Sequence, residues 1–135
     1  MKILVVDDEY LIRDVIKEYL ILEHFSVDEA ENCVVAVEKA ISKDYDLIVM
    51  DIMMPKKDGI QAVKEIKAKK EVPFIVLSAR SDEYDKLAGF ELGIDEYVTK
   101  PFSPRELVAR IKAVLKRAKG RNEVFKIGEL VSNDK

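Results

Sequence analysis

The side chains best able to do chemistry in this 135-residue chain stand at the ends of short strand-like runs. Asp7 and Asp8 follow Ile3–Val6, Asp51 follows Leu47-Ile48-Val49-Met50, Ser78 follows Phe74–Leu77, and Lys100 follows Glu96–Thr99. If those runs are parallel strands, the five groups converge on one sheet edge, in the crevice where open α/β folds bind ligands. Three carboxylates in one crevice repel one another, and one pKa would rise strongly. A hard divalent cation relieves this, and oxygen ligands with room for water suit Mg²⁺. A lysine and a hydroxyl on the same rim add a positive charge and a donor, which makes a place for an anion beside a metal. Phosphoryl is the obvious anion, because metal bridging, a lysine contact and in-line geometry are what phosphoryl transfer needs. A central Asp51 facing such a site is a candidate nucleophile that would form an aspartyl-phosphate. Within its own stretch Asp51 reads as readily as the start of a turn; the other strand ends decide.

Rival chemistries lack parts. The chain has no GxxxxGK[ST] loop and no GxGxxG, so nucleotide-binding readings are weak. His24 is the only histidine, which removes a Ser/His/Asp triad and an HExxH zinc site, and it reads as a surface or satellite-core residue. Cys33 is the only cysteine, so no intramolecular disulfide can form; it reads as a packed residue or one at a helix start.

The elements that must hold the rim follow from periodicity. Ile3–Val6, Ser26–Ala30, the run into Asp51, Phe74–Leu77 and Glu96–Thr99 read as strands. The run Leu47–Met50 is apolar at every position, the pattern of a strand buried on both faces. Leu11, Ile12, Val15, Ile16, Tyr19 and Leu20 recur at helical spacing over 10–22. Asn32 caps a second helix carrying Val34, Val37, Ala40 and Ile41. Asp58-Gly59 opens a third with Ile60, Val63 and Ile66 inward, and its lysine-rich outer face reads as solvated. A helix near 82–92 carries Leu87 and Phe90 and stops at Gly93. Ser103-Pro104-Arg105-Glu106 is a capping box for a last helix whose buried stripe is Leu107, Val108, Ile111, Val114 and Leu115. Alternating strand and helix predicts a doubly wound parallel sheet with helices on both faces, and right-handed crossovers leave only a few strand orders.

Bulk composition agrees. Hydrophobic residues are 48% and charged residues 36%, the profile of a globular chain rather than a disordered one. A net charge of −3 gives the body no reason to bind nucleic acid. No apolar run approaches the roughly 20 residues of a membrane span, and acid at Asp7 interrupts any signal-peptide pattern, so a cytoplasmic location is expected.

With these residues in view, the chain resembles the receiver domain of two-component response regulators over residues 2–118. The marks are Asp7-Asp8-Glu9, the strand into Asp51 followed by Met54-Pro55 and Asp58-Gly59, Leu77-Ser78-Ala79, and Lys100-Pro101-Phe102. The resemblance implies a flavodoxin-like five-stranded sheet in the order 2-1-3-4-5. It implies that Asp51 accepts a phosphoryl group from the phosphohistidine of a sensor histidine kinase. Asp8, Asp51 and the backbone carbonyl of Met53 would ligate Mg²⁺, with Asp7 acting through a bound water. Ser78 and Lys100 would hold the phosphoryl oxygens. Lys100-Pro101 matches a peptide bond that is usually cis, and Tyr97 matches an aromatic switch that turns inward as Ser78 moves toward the phosphate. Met53 and Arg80 occupy the positions that tune hydrolysis. Serine at 78 where threonine is frequent, and Ile94 and Glu96 in the Gly-Ala-Asp-Asp-Tyr run, are small departures. The implied chemistry is self-phosphorylation and self-dephosphorylation only, so the chain is not expected to be an enzyme.

Residues 86–117 resemble the OmpR/PhoB subfamily, in which two phosphorylated receivers dimerise through the helix near 82–92, the fifth strand and the last helix. By that resemblance Lys86 pairs with Glu106, Asp95 and Glu96 meet Arg110 or Arg117, and Leu87, Phe90 and Val108 supply the apolar centre. Residues 1–118 would be the receiver. Lys119-Gly120-Arg121-Asn122 reads as a linker, and 125–135 resembles the first strand of a winged-helix DNA-binding effector whose remainder is absent. DNA would be bound only through that effector, to control transcription, and no membrane contact is expected. Two alternatives stand beside this reading: a stand-alone receiver acting by protein contact, and a Mg²⁺-dependent phosphatase of the aspartyl-nucleophile class. The second usually shows D-x-D, whereas Ile52 and Met53 follow Asp51.

Overall fold

A computed structural model describes residues 1–52, 59–78 and 93–131, with side chains through residue 119. The helix expected near 82–92, and with it Lys86, Leu87 and Phe90, lies outside the described residues. So do Met53, Met54, Pro55, Asp58 and Arg80.

Five strands, β1 (Lys2–Val6), β2 (Ser26–Ala30), β3 (Leu47–Asp51), β4 (Phe74–Ser78) and β5 (Glu96–Thr99), form one sheet in the order β2-β1-β3-β4-β5. All four pairings are parallel. The described helices are α1 (Tyr10–Leu22), α2 (Cys33–Ser42), α3 (Gly59–Lys67) and α4 (Pro104–Val131). Successive side chains of a strand point to opposite faces, so a run buried on both faces feeds two cores. Leu4, Val6, Ile48, Met50, Phe74 and Val76 pack with α2 and α3 on one side. Ile3, Val5, Leu47, Val49, Ile75, Leu77 and Val98 pack with α1 and α4 on the other. Leu47, Ile48, Val49 and Met50 are all 0% exposed. Burying such side chains stabilises by about 1.5–3 kcal/mol each, so β3 as a whole holds roughly 6–12 kcal/mol, comparable to a domain's net stability. Asp51, the last residue of β3, therefore sits at the end of a strand packed on both faces.

Helix ends explain the strand-to-helix turns. The Asn32 side chain accepts from the Val35 amide at 2.9 Å, as its cap assignment predicts. α1 closes with the Phe25 amide bonded to the Leu20 carbonyl at 3.1 Å and the His24 amide to that of Ile21 at 2.9 Å. This is a Schellman closure with His24 at φ 68, where glycine is usual. His24, exposed, is thus a chain-reversal residue. At α4 the Glu106 amide donates to the Ser103 hydroxyl at 3.4 Å, but the Glu106 carboxylate turns to Arg110 instead of completing the box.

Two helices bury different stripes from those the periodicity suggests. α2 buries Cys33, Ala36 and Ala40, while Val34 and Ile41 are exposed. Small residues let this helix lie close on the sheet, and the larger ones are turned out. α3 buries Gly59, Ala62, Val63 and Ile66, with Ile60 only half-buried. The last helix differs in length: it runs through Val131, over the residues read as a linker and as the start of a strand. A helix satisfies its backbone internally, whereas a strand here needs a neighbour, and among the described residues no sixth strand joins the sheet. A glycine inside a helix costs only about 1 kcal/mol, so neither Gly120 nor Gly128 breaks it.

Candidate functional site

The carboxyl ends of β1, β3, β4 and β5 meet at one edge and bring Asp7, Asp8, Asp51, Ser78 and Lys100 together. Asp7 and Ser78 are fully buried, Asp51 is nearly so, and Asp8 is exposed. Lys100 Nζ donates to Asp7 Oδ2 at 2.9 Å and to Asp51 Oδ2 at 2.8 Å. Register places Lys100 there: β5 pairs with β4 through Ser78 and Thr99, and the Lys100 amide then donates to the Ser78 carbonyl at 2.8 Å. The Lys100–Pro101 peptide bond is cis, as the resemblance implies. Burial pushes the Asp7 carboxyl above its usual pKa, against the opposing pull of the Glu9 amide and Lys100. For Lys100 burial works against the ammonium, but the bonds to Asp51 and Asp7 outweigh it and raise its pKa. One ammonium thus answers three acids, and the site retains an excess of negative charge.

Oxygen atoms of Asp7, Asp8 and Asp51 lie within 4.8 Å of one another. In an octahedral Mg²⁺ site, ligand oxygens are about 3 Å apart when adjacent and about 4.2 Å when opposite. The three carboxylates therefore need only small side-chain adjustments to share a cation or its waters, and an all-oxygen set with one exposed member suits a hard, partly hydrated ion. The Met53 carbonyl, assigned as a further ligand, is outside the described residues.

Tyr97 is half-buried against the α2/α3 side of the sheet, and its hydroxyl is buried with no hydrogen-bond partner among the described residues. Of the residues assigned to a dimer face, Arg110 bonds within its own chain to Glu96 and Glu106, each at 3.0 Å. Asp95 accepts from the Phe74 amide at 3.0 Å and so anchors the start of β4. Val108 is 7% exposed and lies in the α1/α4 core, which leaves it little surface to offer a partner. Arg117 is exposed.

Three further features were not singled out from the sequence. Arg13 Nη1 donates to the Asp7 carbonyl at 2.7 Å and Arg13 Nε to Glu29 Oε1 at 3.1 Å, tying the acidic turn to β2. Gly59 meets Ile52, the residue after Asp51, closely enough to leave no room for a side chain. Leu11 and Val15 are exposed rather than buried, and with Ile12, Phe102 and Pro104 they line an apolar groove of about 490 Å³ that reaches Lys100. Only the last has a sequence signal: α1 carries more apolar residues than one inward stripe uses.

The family model described as the response regulator receiver domain matches residues 3–112. The chain belongs to the response regulator receiver family. It is 50% identical over 117 residues to the transcriptional regulatory protein ResD of Bacillus subtilis, covering 87% of this chain and 49% of ResD. It is 46% identical over 116 residues to the transcriptional regulatory protein SrrA of Staphylococcus aureus, covering 86% of this chain and 48% of SrrA. The chain thus spans about half the length of these curated relatives. Among solved structures, the Francisella response regulator 1452 receiver domain matches with TM-score 0.81 and 36% identity, covering 87% of this chain and 98% of that one. The Thermotoga maritima response regulator TrrA, solved with Mg²⁺ and beryllofluoride, matches with TM-score 0.75 and 41% identity over 84% of this chain and 97% of that one. The family places this receiver in two-component signalling, as a response regulator, and its five-stranded parallel sheet is the receiver fold.

Proposed function

We propose that Asp51 accepts a phosphoryl group from the phosphohistidine of a sensor histidine kinase, in a Mg²⁺-dependent step. The observation that carries this reading is the contact of Lys100 with both Asp51 and Asp7, beside three carboxylates gathered at one sheet edge. An Asp51 carboxylate oxygen attacks phosphorus in line; the O–P bond forms, the N–P bond breaks, and the imidazole departs with its electron pair and takes a proton. Lys100 stays beside Asp51 and offers its ammonium to a phosphoryl oxygen, while Ser78 offers its hydroxyl from the adjacent strand end. Asp8, Asp51 and the Met53 carbonyl would hold Mg²⁺, with Asp7 one water further out; the ion supplies neutralisation of phosphoryl charge. The beryllofluoride in TrrA stands in for a phosphoryl group, which supports the same use of the site here.

The apolar groove of Leu11, Ile12, Val15, Phe102 and Pro104 shares Lys100 with this site, so a donor protein seated there delivers its phosphohistidine to Asp51. A new dianion on Asp51 draws Ser78 toward it and biases the switch through Tyr97, whose buried hydroxyl gains a partner in one of the two states. The output is dimerisation through the segment near 82–92, β5 and α4. Arg110 would then exchange its bonds to Glu96 and Glu106 for partners across the interface. The names of ResD and SrrA, and their roughly doubled lengths, support residues 1–118 as the receiver of a transcription regulator, with 119–135 leading into a further domain that we propose binds DNA in the cytoplasm. No described helix is long and apolar enough to cross a membrane. The chemistry is confined to the chain's own aspartate, so the receiver signals rather than turning over a separate substrate.

Acetyl phosphate with Mg²⁺ is expected to label the wild-type chain with one acid-stable, base-labile phosphoryl group and to leave Asp51→Asn unlabelled. Equal labelling of Asp51→Asn would refute the acceptor assignment.

A further inference from the structure

We infer that Arg13, held by Glu29, is a positioning residue for the divalent-cation site: it fixes the Asp7–Asp8 peptide and thereby aims the Asp8 carboxylate. The inference rests on the phosphoacceptor reading above. Asp8 is exposed, and among the described residues its carboxylate makes no hydrogen bond. The backbone that carries it fixes the Cα–Cβ bond, and with it the space the carboxylate can reach. The carbonyl of Asp7 belongs to the same peptide group as the Asp8 nitrogen, and Arg13 Nη1 donates to that carbonyl at 2.7 Å. The remaining polar atoms of Asp7 are each tied to a different place. Its amide donates to the Ala30 carbonyl at 3.2 Å, Oδ1 accepts from the Glu9 amide at 2.9 Å, and Oδ2 accepts from Lys100. Removing Arg13 frees the Asp7 carbonyl itself, leaving the peptide plane that leads to Asp8 restrained only by the turn that the Glu9 amide closes on Asp7 Oδ1.

Arg13 is itself locked. Its side chain is only 12% exposed, Nε donates to Glu29 Oε1 at 3.1 Å, and the guanidinium lies 5.7 Å from the Tyr10 ring centre. Glu29 is in turn engaged by Lys17 at 3.3 Å. The planar fork of arginine serves two acceptors at fixed angles, which a lysine cannot do. Groups that orient a metal ligand from behind typically change metal affinity about 10- to 100-fold when removed.

The sign of the effect separates positioning from plain electrostatics. A positive charge this close to an acidic site repels a cation, so its loss by Coulomb attraction alone strengthens Mg²⁺ binding. Positioning predicts the reverse. Mg²⁺ titrations at fixed ionic strength, followed by amide chemical shifts, are to be run on the full chain and on Arg13→Met, Arg13→Lys and Glu29→Gln, with thermal unfolding of each. Arg13→Met is expected to weaken Mg²⁺ binding about tenfold, with Arg13→Lys partway between it and wild type. Glu29→Gln, which keeps an acceptor for Arg13 Nε but removes the opposite charge and so loosens its hold, is expected to weaken binding about threefold. Unchanged or tighter Mg²⁺ binding by a folded Arg13→Met overturns the inference. If Arg13→Met does not fold, wild-type affinity in both Arg13→Lys and Glu29→Gln overturns it. A wild-type chain that binds no Mg²⁺ would overturn the phosphoacceptor reading itself, which distinguishes that failure from this one.

Discussion

Replacing Gly59 by alanine tests how tightly the first turn of α3 is seated against the end of β3. A Cβ at residue 59 would lie 2.4 Å from Ile52 Cα, 2.9 Å from Ile52 Cβ and 3.0 Å from Ile52 O. Carbon atoms pack at about 3.5–4.0 Å, so α3 and Ile52 must separate by about 1 Å. What would have to move is backbone, not the far end of a flexible side chain. Ile52 is nearly buried, and its amide donates to the Leu77 carbonyl at 3.1 Å. Overpacking of this kind costs about 1–3 kcal/mol, and the better helix propensity of alanine returns less than about 1 kcal/mol at a first helical residue. The expected net loss is about 2 kcal/mol, which for a domain of this size lowers Tm by about 7 °C. Because Ile52 directly follows Asp51, labelling from acetyl phosphate should also slow. Thermal and urea unfolding of Gly59→Ala against wild type reads the first effect, and radiolabel incorporation the second. An unchanged or higher Tm would refute the close approach as the reason for glycine at this position.

Gly93 is glycine for a different reason: its φ is +77, yet an added Cβ would have ordinary contacts, the nearest atom being Lys67 Nζ at 3.6 Å. Gly93→Ala is expected to cost about 1 kcal/mol in urea unfolding and Gly93→Asn less, since asparagine tolerates the left-handed region. Asp7→Asn removes a carboxylate that burial disfavours, so the metal-free variant is expected to be no less stable than wild type at pH 7, while Mg²⁺ binding weakens. Burial raises the Asp7 pKa, so the folded state holds its proton longer, and stability falls as pH rises from the ordinary 3.8 through the raised value. Urea midpoints with chelator present check this. Asp28 is the opposite case: the Tyr45 hydroxyl donates to it at 2.6 Å and is the main cause of a pKa held below 3.8. Its contribution is complete above 3.8 and lost as pH falls through the lowered value. Tyr45→Phe should therefore cost about 1 kcal/mol at neutral pH, a difference that fades in acid. Phe74→Ala, which empties a fully buried position, should cost about 3–5 kcal/mol in the same assay.

Period and punctuation alone place the five strands and the starts of the described helices, because both depend on nearest neighbours along the chain. Asn32, Ser103 and the unbroken run Leu47–Met50 are local signals, and each reappears as a cap or a doubly buried strand. The rim residues Asp7, Asp8, Asp51, Ser78 and Lys100 were legible for the same reason: each directly follows a recognisable strand, and parallel strands share one carboxyl edge. What no local pattern holds is which face of a helix meets the sheet at what distance. Cys33, Ala36 and Ala40 turn inward because small side chains let α2 approach the sheet, while the larger Val34 and Ile41 point out. The helical course of α4 to Val131 replaces the linker and strand expected there, since a strand needs a neighbour to bond with and a helix does not. The contacts that set the site depend on chain folding most of all. Lys100 reaches Asp7 across 93 residues of sequence, and Arg13 reaches Glu29 across 16. Types and spacings thus name the groups on the rim. Only the packed sheet decides which ammonium meets which carboxylate, because that is set by strand order and register rather than by any residue's immediate neighbours.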